Sequence, residues 1–294
     1  MTKKYGKTTA LDKVSFSVRQ GEAVGILGPN GAGKTTLVSI ISALRRPTDG
    51  MVMIGGSDSV KDRQDIHKMV GLVFQEQSMD PYLTASENLK MHGALFEMEE
   101  KDILRSLRKA LNEFGLDVVS DVLAKDLSGG LRQRVELAKA FFHDPSIYIL
   151  DEPTLGLDPE IRRTAWDAIR KLRRDKSKSI LITSHYLDEI EELCDRVIIL
   201  KKGRIIVDRP LRALMSESGT LVTITLSGKA SKRQVEAALG LKVDQKGGSF
   251  TFKPKGTMDV TQLVRKLAGK GLKIRGIETK RERLEETYLK LVRD

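Results

Sequence analysis

Apolar residues in the first two hundred positions form short continuous runs separated by helical stripes. Three runs have the length and aliphatic character of buried strands: 23–27, 147–150 and 180–183. Two longer segments keep their apolar residues on one helical face: 101–114 and 160–174. The run at 23–27 leads directly into a glycine-rich stretch and then a helical stripe. Such alternation predicts an α/β fold, with a parallel sheet covered by helices.

The pattern restarts after residue 209. Strands at 196–200 and 205–208 read as a hairpin, and Arg209-Pro210 marks a boundary followed by a helical stretch to about residue 217. We therefore expect a first domain at 1–209, a linker at 210–219 and a second domain at 220–294. The second domain is predicted to be small and α+β, with strands at 221–226, 250–252 and 272–277 and helices at 232–239, 260–267 and 284–292.

Charge is distributed unevenly along the 294 residues, which carry 51 Lys+Arg and 40 Asp+Glu for a net +11. Residues 1–200 hold 29 basic and 30 acidic side chains, whereas 201–294 hold 22 and 10. Any basic partner surface therefore belongs to the second domain. It could face an anionic membrane or a nucleic acid, or it could simply be solvated.

Hydropathy and cysteine content exclude further classes of protein and of metal site. No apolar run approaches the roughly 20 residues of a membrane-spanning helix, and no signal-peptide pattern follows Met1. We expect a chain that neither spans nor crosses a membrane. The single cysteine, Cys194, excludes an internal disulfide and a cysteine-cluster metal site, as in cytosolic proteins, and is expected to be a small buried side chain.

The glycine-rich stretch matches the phosphate-binding pattern G-x-x-x-x-G-K-[ST] in the strand, loop and helix context that it requires. Glycines let successive backbone N–H groups turn inward around a phosphate, the helix adds its positive end, and Lys34 adds a point charge. Thr35 would ligate Mg²⁺ through its hydroxyl. The predicted binding residues are Gly28, Pro29, Asn30, Gly31, Ala32, Gly33, Lys34 and Thr35.

Two carboxylates, Asp151 and Glu152, follow the apolar strand 147–150. A buried strand would deliver Asp151 to the edge of the sheet beside the phosphate-binding loop, where it can hold Mg²⁺. Because adjacent strand residues face opposite ways, Glu152 is expected to face elsewhere and to polarise an attacking water, with Pro153 ending the strand. Taken alone, such an acidic pair could equally cap a loop.

A second helix start also suits an anion. Leu127, Ser128, Gly129 and Gly130 precede the helical stripe of Val135 and its neighbours. Ser128 is a preferred N-cap residue, and the glycines leave the first N–H groups of the helix open. A single bound nucleotide would occupy the phosphate-binding loop alone. The role of this second helix start, which could also bind an anion, therefore needs a separate explanation.

These motifs, in this order, resemble the nucleotide-binding subunit of an ABC transporter over about residues 5–208. The resemblance implies a P-loop NTPase: a RecA-like parallel sheet core, an N-terminal antiparallel β subdomain and a helical signature subdomain at about 76–142. It makes 28–36, including Thr36, the Walker A segment and 127–130 the signature motif. It also makes 147–151 the Walker B segment, ending in Asp151, and places 157–158, with Asp158, in the D-loop. Three residues are implied to be catalytic: the glutamate Glu152, the switch histidine His185 and the Q-loop glutamine Gln75, which is also an implied metal ligand. Tyr5 is the implied A-loop residue that stacks on adenine.

In that family two subunits meet head to tail, with each ATP between one subunit's Walker A segment and the other's signature helix. The resemblance therefore implies ATP hydrolysis, with ATP and Mg²⁺ bound. It also implies two partners, a second ATP-binding subunit (the same chain or a close paralogue) and a separately encoded membrane permease that docks near 75–83. The implied location is the cytoplasmic face of the cell membrane.

Three features qualify the resemblance. Only four residues precede Tyr5, where the family usually has a strand, so we expect a truncated start or a mobile A-loop. Leu131 replaces the more usual Gln after the signature glycines, which suggests a tuned interface. The segment 284–289 resembles the Leu-Glu-(Asp/Glu)-x-(Phe/Tyr)-Leu close of ATPases that drive ABC-2 type exporters, including the drug-resistance group; an amphipathic helix without a special role is the alternative.

A second hypothesis is a soluble ABC ATPase that acts on nucleic acid or the ribosome through its basic second domain. Those proteins commonly join two cassettes or insert coiled coils or zinc sites, which this chain lacks in sequence. We therefore expect no stable nucleic-acid partner.

Overall fold

The computed structural model of the chain describes residues 1–74, 78–218, 220–228, 230–252, 254, 260–281 and 284–293. These residues form two compact units, 1–211 and 212–294. The strands of the first unit are β1 (Lys3–Tyr5), β2 (Thr8–Leu11), β3 (Ala23–Leu27), β4 (Met53–Ile54), β5 (Ser57–Asp58), β6 (Val70–Val73), β7 (Ile147–Asp151), β8 (Ser179–Thr183), β9 (Arg196–Lys201) and β10 (Arg204–Pro210). Its helices are α1 (Lys34–Ile41), α2 (Arg63–Met69), α3 (Ala85–Leu95), α4 (Glu100–Phe114), α5 (Gly129–Phe142), α6 (Pro159–Arg174) and α7 (Leu187–Leu193).

A six-stranded sheet forms the centre of the first unit, in the order β10-β9-β3-β8-β7-β6. All neighbours run parallel except β10, which is antiparallel to β9. The parallel strands are apolar on both faces because helices cover the sheet. The register places Asp151 at the end of β7 beside Thr183 at the end of β8. The chemistry-bearing residues therefore gather at the carboxyl edge of the sheet.

The first unit contains the N-terminal antiparallel strands that the family resemblance implied, and this part is small. It consists of two separate hairpins, β1–β2 and β4–β5. Between β2 and β3 the sequence Val14-Ser15-Phe16-Ser17-Val18 alternates in the manner of a strand, yet it pairs with no strand among the described residues. Its apolar side chains, with Met51 and Met53, line a cavity of about 450 Å³ against the sheet. Alternation alone did not produce a ladder here, because a strand also needs a partner edge.

The three helices α3, α4 and α5 pack against one another as a helical layer. Thr84 begins α3 with a capping box, since its hydroxyl accepts from Glu87 N and the Glu87 carboxylate accepts from Thr84 N. Gly115 ends α4 in the left-handed conformation. The Gly115 cap places the end of α4 at Phe114, as the apolar stripe 101–114 predicted, whereas α3 was not predicted from the sequence.

The elements of the second unit follow one another in the order strand, helix, strand, strand, helix, strand, with a final helix after them. After α8 (Leu211–Ser218) its elements are β11 (Thr220–Ser227), α9 (Lys232–Leu239), β12 (Asp244–Lys246), β13 (Ser249–Phe252), α10 (Val260–Ala268), β14 (Lys273–Arg281) and α11 (Leu284–Arg293). The sheet order is β12-β13-β11-β14, antiparallel throughout. Apolar residues of α9 and α10 pack against the apolar face of β11 and β13. On the other face, hydroxyls pair across strands, such as Thr223 with Thr251 at 3.0 Å.

Two half-buried histidines lie together, one on α3 and one at the end of α5. The rings of His92 and His143 are 5.5 Å apart, and Phe96 stacks on His143 at 3.9 Å. Burial, together with the smaller effects of the charges on His143 and Lys139, lowers the pKa of His92 to about 3. Burial also lowers the pKa of His143 to about 4, although the Val70 carbonyl and Asp144 act in the opposite direction. Both rings are therefore neutral in the folded protein at neutral pH.

We expect this pair to make the folded protein sensitive to acid. The two pKa values lie below the ordinary 6.5 of histidine, so the unfolded chain binds protons that the folded chain does not. Above about pH 6.5 both histidines are neutral in the folded and the unfolded chain, and they cost no stability. As the pH falls towards 4, the free energy of unfolding decreases by up to about 1.4 kcal/mol per pH unit for each proton that the unfolded chain takes up. Thermal melts from pH 7.5 to 5 should show a falling midpoint, and the His92→Phe variant should show a shallower slope. Equal slopes in the two proteins would contradict this.

Candidate active site

The phosphate-binding loop runs from the end of β3 to the start of α1 and is shaped by close backbone contacts. Gly33 has φ 105° and is the N-cap of α1, where a Cβ would lie 2.6 Å from the carbonyl oxygen of Ala10. At Gly28 a Cβ would lie 2.4 Å from the carbonyl oxygen of Leu200 in β9. The Gly203 N–H donates to the Ala32 carbonyl at 3.0 Å. No side chain caps α1 and its first turn holds no acidic residue, so the helix start is left open to an anion.

Lys34 lies almost fully buried inside this loop. Its ammonium donates to the carbonyl of Gly28 at 2.8 Å and to that of Pro29 at 3.4 Å. Burial lowers the pKa of Lys34, and the carboxylates of Glu152 and Asp151 partly offset this. The lysine is thereby held under the loop and close to both acidic residues. Pro29, Asn30, Gly31 and Thr35 are exposed.

Asp151 is 1% exposed at the carboxyl end of β7. Burial raises its pKa, while hydrogen bonds from the hydroxyls of Thr183 and Thr35 and the charge of Lys34 lower it. Its Oδ2 is buried and has no hydrogen-bond partner among the described residues. An unpartnered carboxylate oxygen beside the Thr35 hydroxyl is an oxygen donor set of the kind that Mg²⁺ prefers. The residues present therefore fit the metal expected from the sequence.

Glu152 lies beyond the strand in a left-handed backbone conformation, with φ 51°. Because β7 does not include Glu152, strand alternation does not apply to this residue, and the predicted reason for its orientation was wrong. The strand ends at Asp151, before Pro153. The Glu152 N–H donates to the carbonyl and the hydroxyl of Thr183 at 3.0 and 3.1 Å. Non-glycine residues held at positive φ are often found at functional sites.

His185 follows β8 and contacts the Glu152 carboxylate, with Nε2 2.6 Å from Oε1. The second oxygen, Oε2, is buried and makes no hydrogen bond within the described ranges of the chain. One carboxylate oxygen is thus held by the imidazole and the other remains available to accept a hydrogen bond. The structure brings together Lys34, Thr35, Asp151, Glu152 and His185.

The predicted signature residues lie at the start of α5. Ser128 is the N-cap, and its Oγ accepts from Leu131 N at 3.3 Å, as its position predicted. Leu127 is buried, whereas Ser128 and Gly129 are exposed and a Cβ at Gly129 would meet open space. Among the described residues, no hydrogen bond or ion pair joins Ser128 to the loop 28–36. The two anion-binding helix starts are therefore separate within one chain.

For three other predicted site residues, the structure does not test the predicted role. Gln75 lies outside the described residues. Tyr5 is in β1, 41% exposed, with the Lys3 ammonium 5.2 Å and the Arg45 guanidinium 5.9 Å from its ring centre. Asp158 caps α6 by accepting from Glu160 N and Ile161 N. The A-loop, Q-loop and D-loop roles stay predictions.

A buried ion pair near the predicted Q-loop was not found from the sequence. Glu136 and Lys139, one turn apart on α5, lie 3.3 Å apart with both side chains buried. Both also hold Ser78: the Ser78 N–H and hydroxyl donate to Glu136, and Lys139 donates to the Ser78 hydroxyl at 2.6 Å. Ser78, the first described residue after 75–77, is thereby fixed to α5, the helix that Ser128 caps. Spacing i, i+3 on a helix would suggest the pair, but its burial against Ser78 depends on tertiary structure.

Comparison with known proteins places this site in a family. The family model described as ABC transporter matches residues 11–155. The daunorubicin resistance ATP-binding protein DrrA3 of Streptomyces coeruleorubidus is 32% identical over 297 residues, which cover 99% of this chain and 94% of that protein. The chain belongs to the ABC transporter ATP-binding proteins.

Further relatives of this ABC protein agree. The Nod factor export ATP-binding protein I of Neorhizobium galegae is 38% identical over 213 residues, 72% of this chain and 61% of that protein. A dimeric ATP-binding cassette in a post-hydrolysis state with bound ADP and Pi matches with a TM-score of 0.66 and 30% identity, over 72% of this chain and 95% of that one. The ABC protein is an ATPase with a P-loop NTPase fold. Within the described part of the chain, no helix is both long and apolar enough to cross a membrane.

We expect the Lys34→Ala variant of this ABC protein to lose affinity for ATP. The substitution removes the one buried ammonium beside Asp151 and Glu152, and a hydrogen bond to a charged group contributes about 1.5–3 kcal/mol, so binding should weaken by about 10- to 100-fold. Titration with a fluorescent ATP analogue measures the change. The exposed Lys90→Ala variant is the control and should bind normally. Unchanged affinity in Lys34→Ala would contradict the assignment.

Proposed function

We propose that the chain is the ATP-hydrolysing subunit of an ABC exporter, that it acts as a head-to-tail dimer, and that it drives a separate membrane permease. The observation that carries this proposal is the pair of anion-ready helix starts in one chain. The start of α1 holds Lys34 beside the acidic residues, whereas the start of α5 presents Ser128 and Gly129 to solvent without contact to the loop 28–36. A second copy offering its α5 start would complete each phosphate site from the opposite side.

Phosphoryl transfer needs positioning and charge neutralisation more than covalent chemistry. In the proposed mechanism the backbone N–H groups of the loop 28–36 and Lys34 bind the β- and γ-phosphates. Lys34 exchanges its bonds to the carbonyls of Gly28 and Pro29 for bonds to phosphate oxygens. Thr35 and Asp151 would hold Mg²⁺, which when bound neutralises phosphate charge.

Glu152 is proposed as the residue that orients the attacking water. Its buried Oε2 has no hydrogen-bond partner in the part of the chain that the structure describes and can accept a hydrogen bond from the water, while Oε1 is held 2.6 Å from His185 Nε2. The imidazole of His185 is partly exposed. In our proposal it lies between Glu152 and the entering γ-phosphate. His185 would fix the carboxylate and add a donor towards the phosphate.

The exporter assignment rests on the relatives and on the second unit. A protein named for daunorubicin resistance aligns over almost the whole of this chain, second unit included, and another relative is named for Nod factor export. The basic charge of the second unit would then face an anionic membrane surface more readily than a nucleic acid. For the permease contact we propose the surface that follows residue 77, where Tyr82 is 75% exposed.

The Glu152→Gln variant should bind ATP but turn it over at least about 100-fold more slowly, because an amide orients the water poorly and cannot take up its proton. Bound ATP would then persist between two chains. Size-exclusion chromatography with ATP and Mg²⁺ should show a dimer that disperses when nucleotide is removed. Normal turnover in Glu152→Gln would remove the catalytic assignment.

Mixing two inactive variants tests whether the site is shared between chains. Lys34→Ala disables the phosphate loop, and Ser128→Arg blocks the facing helix start. In a head-to-tail heterodimer one site receives both substitutions and the other receives neither. An equimolar mixture should therefore recover about a quarter of the wild-type rate, since half of the random dimers hold one intact site.

The control for the mixing experiment is the double variant carrying both substitutions, mixed with Lys34→Ala. No pairing of those chains creates an intact site, so its rate should stay at background. If the first mixture also stays at background while both variants bind their partners, each site is built within one chain and the dimer proposal is wrong.

A further inference from the structure

A buried carboxylate outside the site links the segments that carry it. Glu189 lies on α7, four residues after His185, and is fully buried. Burial raises its pKa, and hydrogen bonds from neighbouring side chains partly offset this. A carboxyl group in such surroundings is costly to bury unless its oxygens are hydrogen-bonded. Its partners therefore indicate what it contributes.

One oxygen of Glu189 accepts two hydrogen bonds from different segments. The Thr154 hydroxyl donates to Oε1 at 2.8 Å and the Trp166 indole N–H donates to the same atom at 3.0 Å. Thr154 is fully buried and lies two residues after Glu152, in the turn that leads to Asp158. Trp166 lies in the middle of α6. The Ser184 hydroxyl, directly before His185, also stabilises the charged form of Glu189.

A second contact joins the same two regions independently. The guanidinium of Arg162, in the first turn of α6, lies 3.9 Å from the ring centre of Tyr186, which follows His185. The segment 184–186 is thus held against α6 on one side by this contact and on the other by Glu189. The turn after Glu152 is held to the same carboxylate.

We propose that Glu189 is a positioning residue for ATP hydrolysis, which keeps the turn after Glu152 and the segment carrying His185 in register. This inference rests on the proposed roles of Glu152 and His185. Glu152 occupies a left-handed conformation, and the Thr154 hydroxyl, two residues away, donates to Glu189 and to no other group that the structure describes. Without the carboxylate, the Thr154 hydroxyl and the Trp166 N–H would be buried and unpaired, so the turn would shift to satisfy them. The Glu152–His185 contact would loosen, although neither residue touches Glu189 in any hydrogen bond that the structure describes.

The test compares Glu189→Ala with Glu189→Gln. Glutamine keeps a carbonyl oxygen where Oε1 accepts both hydrogen bonds and has nearly the same volume. We expect Glu189→Ala to lower kcat by about 10- to 100-fold with KM for ATP changed by less than about threefold, because displacement by about 1 Å of a group that orients water is sufficient for such a loss. Glu189→Gln should restore most of kcat. The exposed Glu192→Ala variant on the same helix is the matched control and should resemble wild type.

Fluorescence supplies a readout that activity does not. Trp166 is the only tryptophan of the chain and donates directly to Glu189. Its emission should shift in Glu189→Ala and return towards the wild-type position in Glu189→Gln. A structural defect spread over the whole first unit would instead change ATP affinity and the melting midpoint together.

Two results would overturn the inference: a folded Glu189→Ala protein with wild-type kcat, or one that loses ATP binding in proportion to activity. If Glu189→Ala fails to fold, Thr154→Val and Trp166→Phe each remove one donor, and both should lower kcat; wild-type kcat in both would overturn it equally. Glu152→Gln is measured in parallel. Normal turnover there defeats the proposed catalytic roles, whereas an inactive Glu152→Gln beside a fully active Glu189→Ala defeats this inference alone.

Discussion

One threonine hydroxyl sets the geometry of the catalytic edge. Thr183, at the end of β8, donates to Asp151 and accepts from the backbone N–H of Glu152. Both interactions exist only because β7 and β8 pair in parallel with Asp151 opposite Thr183. A shift of this register by one residue would turn the hydroxyl to the other face of the sheet and leave both acidic residues without it. The placement of Asp151, the proposed metal ligand, and of Glu152, the proposed water-orienting carboxylate, therefore depends on sheet pairing before it depends on the loop.

The same edge is connected to the helical layer at two points. Gln133, on α5, donates its side-chain amide to the Pro153 carbonyl at 3.0 Å, directly after Glu152. Ser78 is held by Glu136 and Lys139 of the same helix. A movement of α5 would thus act on the turn after Glu152 and on the chain leaving residues 75–77. In a dimeric ATPase, the helix that contacts the opposite nucleotide would be mechanically linked to its own catalytic edge.

Much of this fold follows from local sequence, and the exceptions have physical reasons. The phosphate-binding loop, the strand ending in Asp151 and the Ser128 cap depend on short-range chemistry, so pattern and spacing were sufficient. Strand β12, with three exposed polar residues, has no apolar signal and forms only because β13 offers it an edge. Residues 14–18 show the reverse case, in which the alternating signal is present and pairing is not.

The site itself divides in the same way. Lys34 and Asp151 were predicted because their proposed roles are tied to motifs, whereas Glu189 and Trp166 belong to no motif. Their hydrogen bond joins residues 23 positions apart, on elements whose packing no periodicity specifies. The left-handed Glu152 was equally hidden, since no rule of spacing marks a glutamate for positive φ.

The rear wall of the phosphate loop is made of main chain. The carbonyls of Leu200 and Ala10 approach Gly28 and Gly33 so closely that only hydrogen fits at those positions, and Gly203 closes the wall from the hairpin β9–β10. A wall of peptide groups does not change when the side chains along β9 are exchanged for others of similar size. Apart from Leu200, whose side chain also approaches Gly33, the aliphatic side chains of that strand can therefore be exchanged while the cradle for the nucleotide keeps its shape.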